Sequence, residues 1–262
     1  MKPKHKKVLV ISISVVTVTA ILLWYFLPVI AGKWFIYKNT EYLHQLNARP
    51  SIIDKLPTSS PDEWENISID TLSLSLPIHR FNKINVNHDL FSLLSDQEAI
   101  VIYDLDPTAE FQQIIETPSK FPINSYEDKF AILNTQPDDI SFFKSRKENL
   151  NSCINLVRKL ISIPISSIDD IIAVNSLNLK AICIMHEKRE RGFSATITLY
   201  NQRENMTFDI TLVGYKTFPM LHSDILNILG SIKMPSQPLN AERVQADIEF
   251  ISRKYKLIKQ TF

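Results

Sequence analysis

The chain has 262 residues, 45% of them hydrophobic, and 29 lysine plus arginine against 28 aspartate plus glutamate, for a net charge of +1. Four of the lysines precede residue 8, so the remainder carries 25 basic against 28 acidic residues, a net charge of −3. Because the remainder has no basic stripe, we expect no nucleic-acid partner. A chain of this length buries a sizeable core without needing a disulfide.

An apolar segment at residues 8–31 contains no charged side chain. Since about 20 apolar residues cross a bilayer as a helix, we predict a transmembrane helix that begins at Val8 and ends at Ala31. Trp24 and Tyr25 lie near its outer end, where amphipathic rings settle at headgroup level. The lipid bilayer is therefore the first predicted partner.

The charges around this segment predict its orientation. A basic tip, residues 1–7, carries four lysines, whereas lysines and a glutamate both follow the segment. Because the more basic flank stays in the cytoplasm, we predict a single-pass protein of the inner cell membrane whose bulk is periplasmic or otherwise extracytoplasmic. A cleaved secretory signal is the alternative, since Val29 to Ala31 loosely resembles a cleavage site. Such signals, however, have apolar cores of only about 7 to 15 residues.

The remaining chain divides into three predicted parts. Residues 32–65 form a juxtamembrane stalk and a Pro/Ser linker, in which Pro50, Pro57 and Pro61 interrupt regular structure. Residues 66–234 have the length of one ordinary domain. Residues 235–262 contain a C-terminal amphipathic helix.

Strands are predicted from hydrophobic periodicity. Leucines alternate with polar residues at 72–76, and apolar runs at 99–105 and 129–133 add two further candidates. Three successive strands at 179–186, 193–200 and 206–213 are separated by short polar turns. These three predict an antiparallel meander.

Three helices are predicted from seam spacing. The first, at 138–161, places six apolar residues on the face expected to cover the sheet: Ile140, Phe143, Leu150, Ile154, Val157 and Ile161. The second spans 219–229. The third, at 241–259, either docks on its own core or engages another protein, in the latter case through Val244, Ile248, Ile251, Tyr255 and Ile258.

Two short motifs frame the domain. Residues 73–77 are SLSLP, and residues 228–235 are ILGSIKMP with Ile228, Ser231 and Ile232 in an I-x-x-S-I pattern. With the order of elements, they resemble the PsbP-like α/β/α sandwich family over residues 66–234. The resemblance implies an α+β fold, with a mainly antiparallel sheet flanked by helices. It also implies a scaffold that binds and assembles protein complexes in photosynthetic membranes and bacterial envelopes rather than a catalyst.

One motif suggests catalysis. Asp104 and Asp106 follow an apolar strand in the order Asp-x-Asp-x-Thr, which resembles the first motif of haloacid-dehalogenase-type phosphatases. That resemblance implies a nucleophilic carboxylate, a second carboxylate as acid and base, and bound magnesium. The same residues also predict a helix start, with Asp106 before Pro107. We favour the helix start.

No other pattern predicts chemistry. None of the six histidines pairs with another ligand at metal-site spacing, and the four glycines are too scattered for a nucleotide loop, so we expect no metal or cofactor. Cys153 and Cys183 either remain buried thiols or form one disulfide.

The sequence thus predicts a non-catalytic, membrane-anchored binding or scaffold protein of an envelope assembly. Its second partner is another envelope protein or a small ligand, and homo-oligomers through the terminal helix remain open. The alternative is an anchored magnesium-dependent phosphohydrolase that uses Asp104 and Asp106.

Overall fold

The structure is a computed structural model, and it describes residues 3–58, 61–87, 90–95, 99–105, 125–162, 168–176, 179–188, 192–201, 206–213, 221–234 and 240–261. These residues divide into two compact units. Unit 1 comprises Met1–Ala48 and Ala131–Pro164, and Unit 2 comprises Arg49–Phe130 and Ile165–Phe262. The fold is mixed α+β, with sheets flanked by helices and one apolar helix near the start of the chain, which confirms the predicted class at that level.

Unit 1 is helical. Helix α1 (Pro3–Lys38) is followed by α2 (Leu43–Asn47), and α4 (Arg146–Ser162) comes after a 3₁₀ turn at Pro137–Asp139. Helix α3 (Tyr126–Asn134) begins in Unit 2 and ends in Unit 1. Among the described residues, the 24 residues Val15–Lys38 of α1 are helical, and by length and composition they suffice to cross a bilayer.

A small apolar core joins α1 to the rest of Unit 1. It is formed by Val29 of α1, Leu46 of α2, Ile140 directly after the 3₁₀ turn, and Leu156 of α4, all at most 1% exposed. Phe35, Ile36, Cys153 and Leu160 pack around these four. The part of α1 from Val29 to Ile36 is therefore a packed element of Unit 1.

Unit 2 is built on a nine-stranded sheet of order β1-β7-β8-β9-β10-β6-β5-β4-β11. β1 pairs with β7 and β11 with β4 in parallel, and the other pairs are antiparallel. β2 and β3 form a separate antiparallel hairpin. The strands are β1 (Pro50–Ile53), β2 (Glu65–Ile69), β3 (Leu72–Leu76), β4 (Lys83–Asn87), β5 (Leu90–Leu94), β6 (Ala99–Leu105), β7 (Ile168–Asn175), β8 (Lys180–Lys188), β9 (Gly192–Asn201), β10 (Met206–Val213) and β11 (Ile258–Thr261). The predicted meander, β8 to β10, is confirmed.

One face of this sheet is covered by the β2–β3 hairpin, α5 (His222–Ser231) and α6 (Ala241–Tyr255), which share one apolar core with it. The leucines of β3 that alternate in sequence are fully buried in that core. Ser73 and Lys233 exchange two backbone hydrogen bonds, and the Ser75 N–H donates to Ser231 Oγ at 2.8 Å. The two motifs singled out in the sequence therefore lie against each other.

Several predicted elements differ from the structure. The predicted strand at 129–133 is wrong, because these residues belong to α3, whose first turn is capped by Ser125 Oγ accepting from the Asp128 N–H at 3.1 Å. Within the predicted linker, Pro50–Ile53 forms β1, and Pro57 packs so closely on α5 that a Cβ at Gly230 would overlap the Pro57 carbonyl oxygen.

The predicted buried face of the first amphipathic helix is also wrong. That helix begins at Arg146 rather than near residue 138, and Phe143, Leu150, Val157 and Ile161 are exposed. The buried positions are Asn149, Leu156 and Lys159. Two polar side chains therefore face inward, because each binds backbone groups that packing would otherwise leave unpaired.

Candidate functional site

Two groups of residues stand out. The first, which we term the anchor junction, is formed in Unit 1 by Trp24, Phe26 and Pro28 of α1 with Phe142 and Arg146. The second, termed the sheet cluster, lies in Unit 2. It comprises Tyr126 and Lys129 of α3, Thr198 and Tyr200 of β9, and Asp209 of β10.

The anchor junction is organised by a proline inside α1. Pro28 has no N–H, so the carbonyl of Trp24, four residues earlier, lacks its helical donor. Arg146 fills the gap, since its Nε donates to the Trp24 carbonyl oxygen at 3.0 Å. Its guanidinium carbon also lies 4.1 Å from the centroid of the Trp24 ring, a cation–π contact. Arg146, the first residue of α4, is thereby fixed on α1.

A close approach follows one turn further along α1. The Cys153 thiol donates to the Pro28 carbonyl oxygen at 3.1 Å. A Cβ at Gly32 would lie 2.6 Å from Cys153 Sγ and would overlap the buried side chain of Ile140. Only glycine lets α1 and α4 pack this tightly. Burial raises the pKa of the Cys153 thiol, which therefore stays protonated and able to donate.

A buried lysine holds the far end of α4. Lys159 is 0% exposed, and its Nζ donates to the carbonyl oxygens of Leu46 at 2.9 Å, Ala48 at 2.5 Å and Thr135 at 3.0 Å. Leu46 and Ala48 lie at the carboxyl end of α2, and Thr135 directly follows α3. Terminal carbonyls of helices lack helical donors and attract cations. One ammonium group therefore joins the ends of two helices to a third.

The sheet cluster lies on the sheet face opposite the apolar core. Thr198 and Asp209 are direct cross-strand partners, and Lys129 Nζ donates to Thr198 Oγ1 at 2.9 Å. The Tyr126 ring packs edge-on against Tyr200 with 5.8 Å between centroids. Oδ1 of Asp209 is buried and accepts no hydrogen bond from the described residues. An amine, a carboxylate and two phenols thus converge on one patch.

Burial sets the protonation of this cluster. Burial lowers the pKa of the Lys129 amine, and the Asp209 carboxylate partly opposes that shift. Burial, Asp209 and Tyr126 raise the pKa of Tyr200 well above its ordinary value of 10, so the phenol stays neutral. A cluster of titratable groups with shifted pKa values is a candidate functional site. Among the residues that the structure describes, it forms no metal site, because no three His, Cys, Asp or Glu side chains converge.

The structure places the predicted anchor residues along one helix. Val8, Trp24, Tyr25 and Ala31 all lie in α1, and Trp24 is 60% exposed. The two cysteines are free thiols; Cys183 is buried, and burial raises its pKa.

The predicted partner helix packs on its own unit. Ile248 and Ile251 of α6 are buried in the core of Unit 2, with Val244 and Tyr255 packed against it. Ile258 is not on the helix, because Lys256 takes a left-handed conformation with φ of 56° and ends it. Ile258 instead begins β11 and is exposed.

The structure describes the strand position of only one of the two predicted catalytic residues. Asp104 lies in β6 opposite Phe208, between antiparallel strands β5 and β10. The phosphatase alternative requires parallel strands alternating with helices. Asp106 lies outside the described residues.

Sequence reasoning missed both groups. For the anchor junction, the available sequence signal was Pro28 inside an apolar helix, which leaves the Trp24 carbonyl without a donor. For the sheet cluster, the available signal was the helical spacing of Tyr126 and Lys129. The chain matches no protein-family model, no curated protein and no solved structure.

Replacing Lys159 with methionine should lower the free energy of unfolding by about 3 kcal/mol, because hydrogen bonds from a charged donor are worth about 1.5–3 kcal/mol each. Methionine keeps the apolar stem but leaves three carbonyls without this donor. Urea unfolding in detergent, followed by circular dichroism, measures the change. Lys147→Met, an exposed lysine on the same helix, is the matched control. Equal stability of the two variants would contradict the role assigned to Lys159.

Tyr200 should make stability depend on pH in the alkaline range. Its folded pKa is raised, so the unfolded chain loses the phenolic proton first and the free energy of unfolding falls as pH rises above about 10. Tyr200→Phe should reduce that slope by up to about 1.4 kcal/mol per pH unit. Urea unfolding across a pH series measures it, with Tyr37→Phe at an exposed ring as control. A Tyr200→Phe slope equal to that of the wild type would contradict the assignment.

Proposed function

We propose that this chain is a single-pass protein of the inner cell membrane that anchors a non-catalytic binding or scaffold domain outside the cytoplasm and holds another envelope protein. The observation that carries the proposal is an apolar helix whose described inner part exposes every side chain and whose outer part packs into Unit 1. From Val15 to Tyr25 every side chain of α1 is exposed, and burial begins at Phe26.

The exposed residues of α1 support membrane insertion. They include Val16, Val18, Ile21, Leu22 and Leu23. Water-soluble proteins rarely expose an apolar surface of this extent, whereas lipid is a favourable solvent for it. The lysines of the basic tip, residues 1–7, favour a cytoplasmic N-terminus.

An apolar stripe on α4 supports a protein partner. This outer stripe consists of Leu150, Val157 and Ile161, which recur at helical spacing and are all exposed. It faces away from the packed side of α4, which carries Leu156 and Lys159. An apolar helix face of this kind typically binds a second helix or a groove. A protein of the same membrane is the expected occupant.

The PsbP-like relationship remains part of the proposal. Its support is the contact between the β3 motif and the residues at the end of α5, where Ser231 accepts from the Ser75 N–H. In that family the scaffold is used for assembly rather than for catalysis, which agrees with a binding role.

Membrane anchoring predicts resistance to alkaline carbonate. Full-length chain should stay with the membranes, and external protease should digest its bulk on intact spheroplasts. Val18→Asp with Ile21→Asp should release it, because each aspartate at the helix centre costs about 2.5–3.5 kcal/mol on insertion. Ile52→Asp with Phe250→Asp, at exposed apolar positions outside α1, is the matched control. Release of the wild type, or protection of its bulk, would contradict the proposal.

The partner is tested at the outer stripe. A photo-reactive amino acid at Val157 should give one discrete crosslinked product with another membrane protein in intact membranes. The same group at Asn151, an exposed position on a different face of α4, should not. Ile161→Asp should weaken the Val157 product, since a charge in the apolar contact must be desolvated. A product of equal yield from both positions, or none from Val157, would argue against a partner there.

A further inference from the structure

A rigid turn presents two phenylalanines at the start of α4. Phe142 is exposed, and Phe143 is 101% exposed, so its ring contacts nothing in the described structure. Asn149, only 1% exposed, holds the turn from inside. Its Oδ1 accepts from the Ser141 N–H at 2.9 Å, and its Nδ2 donates to the carbonyl oxygens of Ser141, Lys144 and Ser145. A buried side chain thus fixes the backbone that exposes two large apolar rings.

This turn lies beside α1 at a defined level. The Phe142 ring is 5.6 Å from that of Phe26, and Arg146 binds the ring and carbonyl of Trp24. The described side chains of α1 up to Tyr25 are exposed, whereas Val29 and Gly32, which follow this level along the helix, are buried. The protein surface therefore begins where the two phenylalanines project.

We propose that Phe142 and Phe143 insert into the boundary between headgroups and acyl chains of the leaflet from which α1 emerges, so that lipid contacts Unit 1 at this turn. The inference rests on the proposed membrane anchoring. Phenylalanine side chains of interfacial segments bury at this boundary, Trp24 belongs to the residue types enriched there, and the basic side chain stacked on it is suited to the same depth. The occupant is lipid because the turn is continuous with the membrane-spanning part of α1.

The charges of the turn fix how deep it lies. Lys144, Arg146, Lys147 and Glu148 surround the phenylalanines and would be costly in hydrocarbon. The hydrocarbon therefore ends near Trp24 rather than at Ala31. From Val8 to Trp24 the helix rises about 25 Å, and local thinning of the bilayer accommodates a span a few ångström shorter than its hydrocarbon core.

The depth of Phe143 can be measured directly. Phe143→Cys carries a nitroxide label in full-length chain reconstituted in phosphatidylcholine vesicles, and power saturation compares oxygen, which enters lipid, with a water-soluble nickel complex. Because the Phe143 ring makes no contact in the described structure, the Phe143→Cys substitution leaves folding intact. Ile161→Cys is the control; Ile161 is 62% exposed and lies about 22 Å along α4 from Arg146, the first residue of that helix. The wild type serves as the control for background labelling. Burial raises the pKa of the Cys153 and Cys183 thiols, so both react slowly with the nitroxide reagent.

We expect the label at 143 to be more accessible to oxygen than to nickel, and the label at 161 to show the reverse. Nickel accessibility at 143 equal to that at 161, in chain that resists carbonate, would overturn the lipid contact and leave the anchoring intact. A label at 143 that is immobile and shielded from both agents would mean a protein neighbour, such as a second copy, and would also overturn it. Chain lost from the vesicles in carbonate would overturn the anchoring itself.

Discussion

Unit 1 depends on one buried ammonium group. Lys159 binds three carbonyls that end α2 and α3, so two chain segments separated by more than 80 residues meet on the last turn of α4. A helix end in an apolar core needs donors for its free carbonyls, and no backbone N–H in a regular helix is available for them. The position therefore requires a long cationic side chain. Asn149, the other buried polar residue of α4, faces inward on the same side of the helix as Lys159.

At the opposite end of α4, a side chain again donates to a backbone carbonyl that lacks its helical donor. Pro28 removes the donor for the Trp24 carbonyl, and Arg146 supplies another. In the proposed location an unpaired carbonyl would face lipid, where nothing replaces the lost hydrogen bond. The proline thus creates a specific acceptor that one side chain from the folded unit can bind. Gly32 then permits the approach that keeps α1 and α4 in contact.

Some of the strands could be predicted from the sequence, because β3 of the hairpin and β9 and β10 of the large sheet alternate strictly between apolar and polar residues. Residues 129–133 could not, since a five-residue apolar run fits a strand and a helix equally; the serine cap at Ser125 decides it. The buried face of α4 was missed because an apolar count cannot foresee that Asn149 and Lys159 turn inward to bind carbonyls. Strand β11 depends on a left-handed Lys256, a conformation that sequence seldom indicates for a non-glycine residue. The Arg146 contact joins residues 122 positions apart, and local rules do not reach that far.

Helix α1 continues without interruption from its apolar inner part to Lys38, and α4 is fastened along its outer part at Trp24, Pro28 and Gly32. Such a joint leaves little freedom for swivelling. In the proposed membrane-spanning arrangement, a rotation of α1 about its long axis would turn Unit 1 through the same angle, and a change in its tilt would move Unit 1 sideways. In that arrangement, the connection would transmit torque along α1 from one side of the bilayer to the other.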